Sequence, residues 1–430
     1  MGLRDRERDP SLPALAGEGH LRPPDPAELV ELVDRHLRRP EAPRVVAARW
    51  DYARWKPGVS MTSVFAVRFE DGREEAVVAK RYVDGKDRTL AYRPRNEALL
   101  ESLCERLRPR ALLAERALSL WVPPGDRVLR GLPVFLDRKK TCNLVTRAGL
   151  SPSGSLKRRK TEFTLLRFKP ERRAVYRIDL RLRPPPGTPD EKKKLVLAGR
   201  ILPPPELARL AGVRTELARA GGDDLALPLA ATNLRQGFLL ERWVDVTVFA
   251  PDSFAHAREA GTALARLHAL APPEGARLVD AGTSGDLDAL FRVDARLGSA
   301  RRAGPHPRVE RLAFCHGDFH PDQVARRADG SWLLMDLDLL GAGDPAFDLA
   351  CWIADAIVET RDVALESAAG ELLEGYRAAG GDVPGPQRLA EFVAAELVCR
   401  AGSTVRRLEL GAVDKALFAL DAAQRVLAGG

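Results

Sequence analysis

Residues 314–350 read FCHGDFHPDQVARRADGSWLLMDLDLLGAGDPAFDLA, and this stretch decides where the fold changes character and where its chemistry lies. An apolar run delivers His316-Gly317-Asp318 into a polar loop. The turn at Gly330 then leads into SWLLMD, read as a strand that ends at Asp336. Two carboxylates, Asp318 and Asp336, are thereby expected on loops at the ends of paired strands. Asp344 and Asp348 follow in GDPAFDLA, where an aspartate before proline suits a helix cap.

This β-like island, Phe314 to Asp338, lies among helices. Ala- and Leu-rich periodicity of 3.6 residues predicts them over 253–270, 361–379 and 387–428, so residues 246–430 read as a mainly helical lobe. Upstream the pattern is β-rich. ARWDYARW, SVFAVRFE and EAVVAKRY read as strands, separated by KPG and by Asp71-Gly72, and PRNEALLESLCERL reads as a helix. The series then recurs as TEFTLLRF, RAVYRIDLRLR and KKLVLAGRIL, followed by the helix PELARLAGVRTELARA. Arg54-Trp55-Lys56-Pro57 and Arg167-Phe168-Lys169-Pro170 are the shared kernel. Residues 25–150 are therefore expected to form a sheet-plus-helix unit that either duplicates or pads a β-rich lobe at about 160–245, with SPSGSLKRRK as a linker. Residues 1–24, charged and Pro-rich, read as a flexible tail. Asp25, Pro26 and Glu28 then open a helix with a capping-box pattern.

The bulk numbers exclude several classes. With 430 residues, 45% hydrophobic and 30% charged, the chain has ordinary globular composition and length for more than one core. The net charge of +8 comes from arginine dispersed along the chain, which reads as solvated surface and does not point to a nucleic-acid partner. Five cysteines (Cys104, Cys142, Cys315, Cys351, Cys399) lack any CxxC or paired-His spacing, so neither a disulfide framework nor a zinc site is indicated. The N-terminus lacks the apolar core of a signal peptide and no window resembles a membrane span, so a cytoplasmic protein without membrane attachment is expected.

Phosphoryl transfer from ATP needs a carboxylate to orient a hydroxyl and accept its proton, and hard oxygen ligands for magnesium. Asp318 suits the first role and Asp336 the second, and Gln323 offers a further carbonyl ligand. The series HGDxHPxx, a strand ending in aspartate, then GDPxxDLA resembles the aminoglycoside phosphotransferase and choline kinase superfamily. The helix AREAGTALARLHAL, carrying Gly261, Leu264 and His268, is similar to one that this family places before its catalytic loop. The resemblance implies an α+β, bilobal protein kinase-like fold, ATP and Mg²⁺ as cofactors, and a small-molecule hydroxyl as acceptor. It also implies Asp318 as catalytic base, His316 as loop organiser and Asp336 as magnesium ligand.

Two positions depart from the family pattern. Where a strand lysine is expected against the ATP phosphates, the second unit has Arg200, with Glu216 sixteen residues on; the first unit has Lys80, with Glu97 in its helix. Arginine is no free substitute for an ammonium. Gln323 stands where asparagine is usual, and its extra methylene must be absorbed before a metal ligand at about 2.1 Å can form. A nucleotide-binding regulatory or scaffold protein that transfers phosphate poorly therefore stays open beside an active kinase. No GxxxxGK[ST] loop is present, so the KPERR turn, through its amides and Arg172 or Arg173, is the phosphate-facing candidate. Glu241, Leu240 and Trp243 in GFLLERWVD are the hinge candidates bordering the nucleotide.

Overall fold

The computed structural model describes residues 8–83, 97–151, 156–182, 194–250, 254–279, 293, 307–362 and 365–429. The fold is α+β. It divides into two compact units, one formed by Gly17–Arg209 with Leu229–Trp243 and the other by Met1–Ala16, Leu210–Pro228 and Val244–Gly430.

The β-rich unit holds two five-stranded antiparallel sheets. The first contains β1 (Val45–Lys56), β2 (Ser60–Phe69), β3 (Glu74–Tyr82), β4 (Arg110–Leu113) and β5 (Leu118–Trp121), in the order β1-β2-β3-β5-β4. The second contains β6 (Glu162–Lys169), β7 (Arg173–Arg181), β8 (Lys194–Ile201), β9 (Leu229–Asn233) and β10 (Phe238–Arg242), in the order β6-β7-β8-β10-β9. Strand for strand, the two orders are the same. The kernels align in register: Arg54, Thr62, Lys80 and Ser119 form one row of the first sheet, and Arg167, Val175, Arg200 and Leu239 form the matching row of the second. Lys80 and Arg200 are thus structural counterparts.

Strand alternation then decides what each sheet buries. In the first, Phe65, Val67, Val77, Ala79 and Leu120 pack on the helix Pro26–His36 through Leu29, Leu32 and Val33. Its opposite face, with Val64, Val78 and Trp121, joins a core shared with Tyr176, Ile178, Leu197, Phe238 and Leu240 of the second sheet. Leu132, Phe135, Cys142 and Val145, from the helices Leu132–Leu136 and Arg138–Arg147, fill the same core. The residues expected as an accessory unit and a separate lobe therefore share one core.

Two further expectations, for the N-terminal tail and the linker, are corrected. The tail is not free over its described part: Leu12 and Leu21 are buried, and Glu18 accepts from the Trp55 indole at 3.0 Å. A few apolar anchors and one buried carboxylate override a polar composition. Of the expected linker, residues 152–155 lie outside the described residues, whereas Leu156 is part of the shared core and Arg158–Lys160 form a short 3-10 turn.

In the helical unit Ala257–His268, Pro345–Thr360, Leu365–Ala378, Pro386–Arg406 and Ala412–Gly429 are helices. The long helix expected over 387–428 is two. Leu408 (φ 54°) and Gly411 (φ 66°) turn left-handed between them, a conformation that stops helix propagation. Small strands support the loops: β14 (Val324–Arg327) pairs with β11 (Val246–Val248) on one side and β15 (Trp332–Leu334) on the other, while β12 (Leu278–Val279), β13 (Ala313–Cys315) and β16 (Gly341–Gly343) form a second group. Among the described residues no helix is long and apolar enough to cross a membrane.

Candidate active site

The β14–β15 hairpin carries the site. Val324 pairs with Leu334, which sets Gln323 against Met335, and the Met335 N–H donates to the Gln323 backbone carbonyl at 2.7 Å. Asp336 follows at once in the left-handed region, φ 54°, where a non-glycine residue is strained. That turn takes the chain sharply out of the strand at the residue expected to hold metal. The Met335 carbonyl accepts from His316 Nε2 at 2.7 Å, and His316 Nδ1 faces the Asp318 N–H at 3.4 Å. One fully buried imidazole therefore bridges the loop bearing Asp318 and the strand end bearing Asp336.

Asp348 fixes the other side of the loop. Its carboxylate accepts from the His316 N–H at 2.6 Å and the Gly317 N–H at 2.8 Å, and lies 3.1 Å from His268 Nε2. Gly317 needs its glycine here, since φ is 85° and a Cβ would sit 2.9 Å from the Leu339 carbonyl oxygen. His268 Nδ1 meets the Tyr376 hydroxyl at 2.9 Å, so both of its ring nitrogens are used within the protein. His268, Cys315 and Asp348 come close enough to hold an ion, but His268 and Asp348 already serve as hydrogen-bonding scaffold. Asp344 caps Pro345–Thr360 through the Ala346 N–H at 3.0 Å and also pairs with Arg388.

Asp318 is half exposed at its side chain. His320 Nε2 lies 3.6 Å from it and His320 Nδ1 lies 2.5 Å from Asp322. Burial opposes the charged imidazole, yet Asp318 and Asp322 outweigh it and push His320 up to about 10. Gln323 is 1% exposed; its amide nitrogen donates to Asp322 at 2.7 Å, which orients the group and leaves Oε1 buried with no hydrogen-bond partner. A buried orphan acceptor is rare and calls for a partner. Beside Asp336, the chemistry of this donor set fits a hard cation such as magnesium.

The nucleotide candidates of the β-rich unit are paired differently from expectation. Arg200 Nε donates to Glu241 at 2.9 Å, with Glu241 1% and Arg200 11% exposed at the side chain. Glu216, expected to hold Arg200, is instead bound to Arg219 one turn along its own helix. Trp243 lies under the Arg177 guanidinium, 4.9 Å from its ring centroid. Lys80 bonds Glu171 in the β6–β7 turn at 2.5 Å and is 4% exposed, so its partner here is Glu171 rather than the expected Glu97. The cause is the shared core: the face of β3 carrying Lys80 also carries Val78, which is covered by the second sheet.

The sequence matches the family model described as phosphotransferase enzyme family over residues 173–392, just over half of the chain. The chain belongs to the phosphotransferase enzyme family. No curated protein matches the sequence. Similar solved structures include choline kinase LicA from Streptococcus pneumoniae, at 12% identity and TM-score 0.42, covering 67% of this chain and 98% of that one. A choline/ethanolamine kinase family protein from Mesorhizobium loti is 17% identical with TM-score 0.42, covering 62% and 93%. Macrolide 2'-phosphotransferase MphH from Brachybacterium faecium is 18% identical with TM-score 0.41, covering 66% and 98%.

Sequence reasoning missed a buried cluster of charges in the helical unit, close enough to Asp318 to feel its charge. Glu396 and Arg400, one turn apart on Pro386–Arg406, lie 3.5 Å apart, and Arg400 bonds Asp355 of Pro345–Thr360 at 2.5 Å. Burial pushes Glu396 up to about 7; Arg400 opposes this, and Asp318 and Asp355 reinforce it. The signal was present as charges inside FVAAELVCRAG and WIADAI, helical stretches otherwise almost wholly apolar.

Proposed function

We propose that this phosphotransferase moves the γ-phosphoryl group of ATP to a hydroxyl of a small molecule, with Asp318 orienting that hydroxyl and accepting its proton. The observation that carries the reading is the His316 bridge, which ties the Asp318 loop to the Met335 carbonyl immediately before Asp336. Asp336 and the Gln323 carbonyl are the groups that would hold magnesium, which when bound offsets phosphate charge. The Asp348 carboxylate, by binding two successive loop amides, keeps Asp318 in place without itself meeting substrate. In the β-rich unit, Arg200 with Glu241, and Trp243 just after β10, are the nucleotide-side candidates.

Acceptor chemistry follows from charge. Asp318, Asp322, Glu396 and Asp355 outnumber His320 and Arg400 around the base, which favours a hydroxyl compound that also carries a cationic or hydrogen-bond-donating group. A cytoplasmic setting, where ATP and magnesium are supplied, suits this chemistry.

The test is ATP consumption across a panel of amino alcohols, amino sugars and neutral sugars. Asp318→Asn should lower turnover by at least about a thousand-fold while nucleotide binding survives. Asp336→Ala should weaken Mg·ATP binding itself. Equal activity in wild type and both variants sinks the assignment.

A further inference from the structure

The two sheets carry matching hairpins. Lys56-Pro57-Gly58-Val59-Ser60 joins β1 to β2, and Lys169-Pro170-Glu171-Arg172-Arg173 joins β6 to β7. Each is closed by a bond from its fourth residue to its first, Val59 N–H to the Lys56 carbonyl at 3.0 Å and Arg172 N–H to the Lys169 carbonyl at 3.1 Å. Each has a left-handed third residue, Gly58 at φ 65° and Glu171 at φ 59°. Each donates that residue's N–H to a buried carboxylate, Gly58 to Glu18 at 2.9 Å and Glu171 to Asp126 at 2.7 Å.

The difference lies in the residue at the tip. Glycine takes the left-handed conformation without steric cost, and the first hairpin uses it. The second accepts the strain of Glu171, whose carboxylate then reaches Lys80 Nζ at 2.5 Å and Arg127 Nε at 2.8 Å. Strain kept at a site whose side chain is fully engaged points to a role for that side chain. Burial works against its ionisation, but Lys80 and then Arg127 outweigh burial and hold the Glu171 carboxyl below its ordinary value. All four partners, Lys80, Asp126, Arg127 and Glu171, belong to one compact unit, and the first three come from the first sheet or the turn after it.

We propose that Lys80 is a positioning residue: with Asp126 and Arg127 it fixes the β6–β7 turn of the second sheet in the shape with which exposed Arg172 meets the phosphates of the nucleotide. The inference rests on the reading above that the second sheet serves ATP. It gives the N-terminal sheet a task, bracing a neighbouring hairpin, in place of a nucleotide site of its own.

The experiment uses the full chain with Lys80→Met, Glu171→Gln and the double variant. Hydrogen exchange of residues 169–174 is measured without nucleotide, and KM for ATP is separated from kcat. All three variants should exchange faster in the turn and show KM raised about ten-fold, with kcat little changed and the double no worse than either single. Glu171→Gln is nearly isosteric and reports even if Lys80→Met fails to fold. A raised KM in Lys80→Met alone, with Glu171→Gln at wild-type KM, would mean that Lys80 touches the nucleotide and would overturn the proposal. So would wild-type exchange in all three. A wild type indifferent to ATP defeats the functional reading beneath; a wild type that responds to ATP while every variant keeps its KM defeats this inference alone.

Discussion

The two sheets of the β-rich unit share strand order, register and hairpin form, yet they treat the cation in the middle of their third strand in opposite ways. In the first sheet Lys80 lies on the face turned into the shared core and is neutralised by a glutamate from the other sheet. In the second, Arg200 lies on the face opposite Ile201 and Leu197, which are the core residues of β8, and is neutralised within its own sheet by Glu241. Topology is repeated, then, while the surroundings of the strand cation are not. What a strand cation can do depends on which face its neighbours leave open.

The most damaging way to probe this contrast is to remove the carboxylate that Arg200 Nε donates to. Glu241→Ala would leave a nearly buried guanidinium without its carboxylate, and breaking such a pair costs about 3–5 kcal/mol. The urea midpoint should fall accordingly, and an unchanged midpoint would mean that Arg200 reaches another carboxylate or water. Glu241→Gln, which retains an acceptor oxygen, should fall less.

A pH series sharpens the comparison by asking which part of the molecule resists ionisation. Glu396, raised from 4.5 to about 7, belongs to the helical unit and faces Asp318, Asp355, Arg400 and His320. Because its folded value lies above its unfolded one, its contribution is fully present below pH 4.5 and is lost as pH rises towards 7. For a shift of this size the loss is on the order of 3 kcal/mol once pH has passed through about 7, and Glu396→Gln should remove it from the unfolding free energy. A slope that survives the substitution has another source, such as Glu75 of the first sheet or Asp126 in the turn after it, which burial also pushes up. In the second sheet Asp179 is pulled the other way, first by its hydrogen bond from Arg177, and Glu171 is held down by Lys80.

How far all this could be read in advance follows from the sequence distance between partners. The loop from His316 to Asp348 was legible because its organising contacts are local: His316 meets Met335 nineteen residues on, and Asp348 meets Gly317 thirty-one residues back. The doubled sheet was legible through Arg-Trp-Lys-Pro and Arg-Phe-Lys-Pro, since both kernels end a first strand at a hairpin. The pairing of Lys80 with Glu171 was not, because ninety-one residues separate them and the helix spacing pointed to Glu97 as the partner. Nor was the partner of Arg200, since helix spacing pointed to Glu216 while the adjacent strand supplied Glu241. The break at Leu408 escaped for a different reason: Leu-Glu-Leu keeps helical periodicity, while the chain turns left-handed at Leu408 and again at Gly411.

The smallest expected effect tests the matched hairpins themselves. At Gly58 a side chain would enter the left-handed region with nothing to gain, so Gly58→Ala should cost about 1–2 kcal/mol, read from the thermal midpoint. Glu171→Gly offers the mirror experiment: it relieves strain of the same kind but abandons Lys80 and Arg127. If the ion pairs dominate, Glu171→Gly still destabilises, and Glu171→Ala, which keeps the strain and loses the pairs, destabilises further by about 1 kcal/mol. Should Glu171→Gly instead stabilise the protein, the glutamate would be a residue tolerated at the tip rather than one that braces it, and the contrast between the two sheets would reduce to the direction in which each strand cation points.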